Sequence, residues 1–137
     1  MSGCNWQIND PVRPARAGTV TSVSGALVKI KHHYRNSQGF NCRWETWYMH
    51  LRGIMVKKGD SVATSTDLGY PPCKGGRATG VHLHFLVAWD GALQPIAGHQ
   101  LSGWLIGATS CYDGTMKKGN VTLIADARRP SSNRVNR

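Results

Sequence analysis

The clearest periodicity in this chain is two. Apolar and polar residues alternate in short runs, and glycine, proline, asparagine or serine separates the runs. A period of two puts alternate side chains on opposite faces of an extended strand. Gly18 to Val23 (GTVTSV) reads as a strand, Ser24-Gly25 as a turn, and Ala26 to His33 (ALVKIKHH) as the returning strand. On that second strand Leu27, Lys29 and Lys31 share one face, and Val28, Ile30 and His32 share the other. Asn36 to Asn41 (NSQGFN) is a turn cluster. Arg43 to Leu51 (RWETWYMHL) reads as a third strand with Trp44, Thr46, Tyr48 and His50 on one face.

Ile54 to Asp60 is a short extended piece that ends in a Gly-Asp turn, and Ser61 to Tyr70 holds another short strand or two. Pro71 to Gly80 is a Gly/Pro-rich loop. His82 to Trp89 is the strongest strand pattern, and Asp90-Gly91 turns it back into Ala92 to Ile96. After Gly98 the alternation weakens until Val121 to Ala125 (VTLIA). Met1 to Ala17, with Pro11 and Pro14, reads as a loop or irregular edge.

Composition agrees with this pattern. Sixteen glycines and six prolines leave little room for helices, so the expectation is an all-β fold. A length of 137 residues with 40% hydrophobic content suits a single domain, placed at residues 1–127, with a basic tail at 128–137. No apolar run is long enough to span a membrane. Met1 is not followed by a basic segment and an apolar stretch, so the sequence shows no signal peptide.

The formal charge is +10, from 17 Lys+Arg against 7 Asp+Glu. That imbalance favours anionic partners, nucleic acid and acidic cell-wall polymers alike. The four cysteines, Cys4, Cys42, Cys73 and Cys111, form no CxxC pair, which argues against a zinc knuckle. Their even number and wide spacing suit disulfides in an oxidising compartment. Four buried free thiols are the alternative, and three connectivities stay open.

The chemistry concentrates in Val81-His82-Leu83-His84-Phe85. Period two aims His82 and His84 at one face, with Leu83, Phe85 and Val87 turned into the core. Two imidazoles on one face of an apolar strand are costly unless something uses them, and zinc is a natural user. A bare His-x-His is a weak signal, equally suited to a hydrogen-bonded core histidine. His50, on a separate strand beside Tyr48, strengthens it: three histidines and a tyrosine would line one groove and suit metal-assisted hydrolysis. His32 and His33 are adjacent and point to opposite faces, with a surface role beside Lys31 and Arg35 expected; His99 is expected to be exposed. Lys74 to Gly80 lacks the Lys-Ser/Thr pair and following helix of a phosphate loop. No G-x-S-x-G elbow occurs, and nothing marks Cys42 or Cys73 as activated.

Four ordered segments resemble the LasA-type and lysostaphin-like zinc endopeptidases that cleave peptidoglycan cross-links. They are Pro11 to Val20 (PVRPARAGTV), Trp47-Tyr48-Met49-His50-Leu51, Val56 to Val62 (VKKGDSV) continuing to Leu68-Gly69-Tyr70, and Gly76 to Phe85 (GRATGVHLHF). The resemblance covers roughly residues 11 to 96 and is specific because the motifs keep their order. It implies a twisted antiparallel sheet with a substrate groove. It implies His84 as a zinc ligand, and His82 and His50 as catalytic histidines that polarise water or steady the tetrahedral intermediate. It also implies zinc as cofactor, peptidoglycan cross-bridge peptides and anionic wall polymers as partners, and a secreted, periplasmic or cell-wall location.

The departures are equally clear. The family takes a further His and Asp from a segment upstream of the Ala-Gly-Thr-Val strand. Here no histidine precedes His32, and Asp10 sits too close to Pro11 to match. Catalytic zinc wants three protein ligands and an open position. The expectation is therefore a zinc-dependent peptidase domain that is N-terminally incomplete and inactive as it stands, with zinc binding weak or absent. The alternatives are a degenerate domain of the same fold that binds wall or regulates an amidase, and zinc recruited through His32 or Asp10. A nucleic-acid-binding β-domain using Trp44, Trp47 and Arg43 is the reading from another class.

Overall fold

Hydrogen-bonded pairing of the alternating segments builds the fold. A computed structural model of the chain describes residues 9–35, 41–72, 83–101, 103–109 and 114–125. The strands are β1 (Gly18–Ser24), β2 (Leu27–Lys31), β3 (Tyr34–Arg35), β4 (Asn41–Cys42), β5 (Trp44–Met49), β6 (Ser61–Val62), β7 (His84–Trp89), β8 (Ala92–Gln94), β9 (Gln100–Leu101), β10 (Trp104–Thr109), β11 (Gly114–Lys118) and β12 (Val121–Ala125). Among the described residues there is no helix. The all-β, antiparallel expectation holds. The chain clusters into two compact units, Met1–Gln94 and Pro95–Arg137.

The first unit carries a six-stranded sheet in the order β6-β1-β2-β5-β7-β8, antiparallel throughout. Register splits it cleanly. Val28, Tyr48 and Phe85 lie opposite one another across β2, β5 and β7, as do Ile30, Thr46 and Val87. This is the core face, and Val28 and Ile30 are both 0% exposed. Val12, Leu51 and Leu68 close over it from the connecting segments, joined by Val20 and Val62. The other face carries Lys29, Trp47 and Leu86 in one row and Met49 with His84 in the next. Leu83, expected in the core, is exposed, because it lies before the first ladder residue of β7. Gly18 fits where no side chain would: a Cβ there would overlap the Lys31 carbonyl oxygen, which explains the glycine at the start of β1.

His32 corrects its expected surface role. It continues the Val28-Ile30 face and is buried. The Ala17 carbonyl, 3.0 Å from Nδ1, can only accept, so Nδ1 carries the proton. Burial holds the ring below its usual pKa, the nearby Arg16 and His33 charges adding to this against the bond to Ala17. The neutral ring then accepts at Nε2 from the Thr46 hydroxyl at 2.8 Å. Proton counting runs the chain onward. Thr46 accepts from the Tyr48 hydroxyl at 3.0 Å, and Tyr48 accepts the Ala15 N–H at 2.7 Å. These bonds tie the chain at residues 15 and 17 to β5. His32 has both ring nitrogens committed here, so it is not a zinc ligand. His33 is exposed and bonds Thr19 Oγ1.

The second unit is a four-stranded antiparallel sheet in the order β12-β11-β10-β9. The alternation marked only its last strand. β10 runs Trp-Leu-Ile without a polar break and β11 ends in adjacent lysines, so neither shows period two. A two-residue Gly119-Asn120 turn, with Gly119 at φ 57°, joins β11 to β12.

The His32 environment makes stability pH-dependent. An unfolded histidine gains its proton near 6.5, the buried one only at lower pH. Between those values the unfolded chain binds the extra proton, so the contribution is full above about 6.5 and falls as pH drops toward the folded value. Urea unfolding from pH 8 to 5 should therefore show a falling midpoint, and His32→Asn should flatten that slope. An unchanged slope would contradict the neutral, buried ring.

Candidate active site

β5 ends at Met49, and the alternation ends with it. Continued regularly, the strand would put His50 on the Tyr48 side, among the core residues. Instead His50 has φ 64°, a left-handed conformation uncommon for a non-glycine residue. Leu51 follows it into the core, with its N–H donating to the Ala26 carbonyl at 2.9 Å. The turn is held on both sides, and it swings the His50 ring across to His84.

His84 is the first residue of β7 and lies opposite Met49. Its Nδ1 is 2.8 Å from His50 Nε2, and the ring centroids are 4.7 Å apart at an interplanar angle of 46°. At that distance one nitrogen donates and the other accepts, so the two rings share one proton. His84 is exposed and His50 half-buried. The pair stands at the open edge of the noncore face.

Tyr48 does not join it. Its ring lies on the opposite face, 1% exposed, packed edge-on against Phe85 with centroids 5.4 Å apart. Burial, the larger influence, raises its pKa against the lowering effect of the N–H it accepts from Ala15. The groove of three histidines and a tyrosine is thus corrected at its tyrosine. Period two was applied one residue too far, past the left-handed turn. Tyr48 positions the chain at Ala15 instead. His82 and the Lys74–Gly80 loop lie outside the described residues, as do Cys4, Cys73 and Cys111. Asp10 is exposed, and His99 is half-buried in the second unit.

The donor chemistry fits zinc in kind. Imidazole nitrogen is a zinc ligand, and His84 presents one at an accessible strand end. A neutral ring has one lone pair, so the nitrogen that binds metal cannot also accept in the bond to His50. Among the described residues no group of three His, Cys, Asp or Glu side chains gathers in one place. The described residues therefore do not by themselves assemble a complete metal site.

The profile of peptidase family M23 matches residues 3–95. The chain belongs to this family. The match ends at the boundary between the two compact units. Protease LasA of Pseudomonas aeruginosa is 32% identical over 112 residues, which cover 76% of this chain and 25% of that protein. Beta-lytic metalloendopeptidase of Achromobacter lyticus is 36% identical over 117 residues, 80% of this chain and 28% of that protein. The chain thus spans about a quarter of the length of these relatives. The M23 metalloprotease pseudoalterin, from the deep sea, superposes with a TM-score of 0.70 at 24% identity, over 90% of this chain and 75% of its own. That likeness supports the fold. Membership makes this a peptidase-family domain.

The left-handed His50 backbone of this M23 domain generates a stability prediction. A β-carbon in that conformation costs about 1 kcal/mol that glycine avoids. His50→Gly should be more stable than His50→Ala by about that amount in urea unfolding. Equal stabilities would place His50 in regular strand geometry and undo its approach to His84.

Proposed function

We propose that this domain is a zinc-dependent endopeptidase acting on the peptide cross-links of bacterial peptidoglycan, outside the cytoplasm. The observation that carries the reading is the His50–His84 pair, on the exposed face of an M23 sheet. His84 would hold the metal, and two further ligands are required that the described residues do not supply. Bound zinc polarises a carbonyl and lowers the pKa of an attacking water. His50 stands beside the metal-binding ring, where its Nε2 can hold a proton or donate to a developing oxyanion. His82 shares the His-x-His segment and takes the same class of role by its place in the motif. The open sheet face suits an extended main chain with small side chains, such as a glycine-rich cross-bridge. The excess of cationic residues suits an anionic wall.

A second reading has its own observation. With only two donors gathered among the described residues, the 137-residue polypeptide would bind wall or a partner enzyme without cleaving. Zinc stoichiometry and peptide release from purified peptidoglycan decide between the two. The 137-residue polypeptide should bind zinc weakly and release nothing. A longer form of the domain that supplies a further His and Asp should bind one zinc and cleave. His50→Ala should then slow cleavage about 100-fold or more. Wall sedimentation without peptide release by the extended protein would favour the noncatalytic reading.

A further inference from the structure

The face that carries His84 continues away from it in an ordered row. Two residues back from Met49 on β5 is Trp47, opposite Lys29 on β2 and Leu86 on β7. Successive same-face residues on a strand are roughly 7 Å apart, the length of two residues of an extended peptide. Leu86, Trp47 and Lys29 are half-exposed. The row therefore lies open, two peptide residues from the histidine pair.

The two cations that β2 places on this face have different neighbours. Lys31 lies opposite Glu45, a carboxylate that the Thr21 hydroxyl holds from 3.1 Å. Lys29 lies opposite a neutral ring instead. Its Nζ sits 3.8 Å from the centroid of Trp47, a cation–π contact that fixes the ammonium over the indole. Among the described residues no acid forms an ion pair with Lys29. Among the described residues the shielded Trp47 Nε1 has no hydrogen-bond acceptor, so its resonance reports directly on what happens at the ring. A cation held over an indole, with no acidic partner among the described residues and beside a proposed reaction centre, is complementary to an anionic group on the substrate.

We infer that Lys29 and Trp47 form a specificity subsite that takes a carboxylate of the substrate peptide, about two residues from the bond to be cut. The inference rests on the peptidase reading for the position of that bond, but not for the binding itself. The carboxylate pairs with the Lys29 ammonium beside the indole. Leu86, opposite Trp47, supplies an apolar wall beside the carboxylate-bearing residue. Substrates with a neutral residue at that position bind through the main chain alone.

The test uses acetylated pentaglycine amides in which one residue, at each position in turn, is Asp or the isosteric Asn. Binding to the full chain is followed by the Trp47 indole N–H resonance, assigned with Trp47→Phe. One Asp peptide should bind about two- to fivefold tighter than its Asn partner and shift that resonance. The preference should vanish in Lys29→Met, which keeps the apolar stem, while Asn-peptide binding stays unchanged. Equal binding of the two peptides, no detectable binding of either, or a preference that survives Lys29→Met overturns the subsite. So does glycerol-phosphate oligomer competing as well as the Asp peptide, which would give the cation to a wall polymer. Cleavage assays on the longer form of the domain separate the two proposals. Cleavage with no Asp preference sinks the subsite and leaves the peptidase. Preference without cleavage supports the subsite and sinks the peptidase.

Discussion

The register between β5 and β7 is the constraint on which the rest of this structure depends. Tyr48 lies opposite Phe85 and Met49 opposite His84. A slip of one residue would exchange the two faces and drive an imidazole into the core while exposing an aromatic pair. The apolar demand on one face therefore sets the chemistry of the other. Val28, Ile30 and Tyr48, all buried to 1% or less exposure, fix which side is inside. The reactive groups occupy what remains.

Two departures from regular strand geometry complete the site. One is a turn, at His50, where a left-handed residue carries the ring to the face that period two would deny it. The other is a buried polar chain from the Ala15 N–H through Tyr48, Thr46 and His32 to the Ala17 carbonyl. It pins the segment before β1 against the core side of the same strand that leads into His50. Local backbone strain at a reactive residue persists when its surroundings over-determine it. Leu51, buried and bonded to Ala26, supplies part of that restraint.

Much of the first unit was legible in the sequence, because burial on one face writes itself as alternation. β1, β2, β5, β7 and β8 fell where GTVTSV, ALVKIKHH, RWETWYMHL and the His-x-His strand placed them. The division of Lys29 and Lys31 from Val28, Ile30 and His32 was correct. The meaning of His32 was not, because a histidine beside lysines reads as surface until its partners Thr46 and Ala17 are known. Tyr48 was assigned to the wrong company for a related reason: the break at His50 is a dihedral, and period two carries no dihedrals. β10 and β11 were missed because a continuous apolar run and a lysine pair erase the alternation. Membership of family M23 was readable from motif order, where the His-x-His alone was only an even bet.

The structure of a zinc-loaded form of the domain tests the central claim most directly. The account predicts a metal bonded to a ring nitrogen of His84, with the His50 ring beside it on the Met49 face and Tyr48 still bonded to Ala15 behind. A metal bound away from His84, or a His50 ring turned to the Tyr48 face, would contradict it.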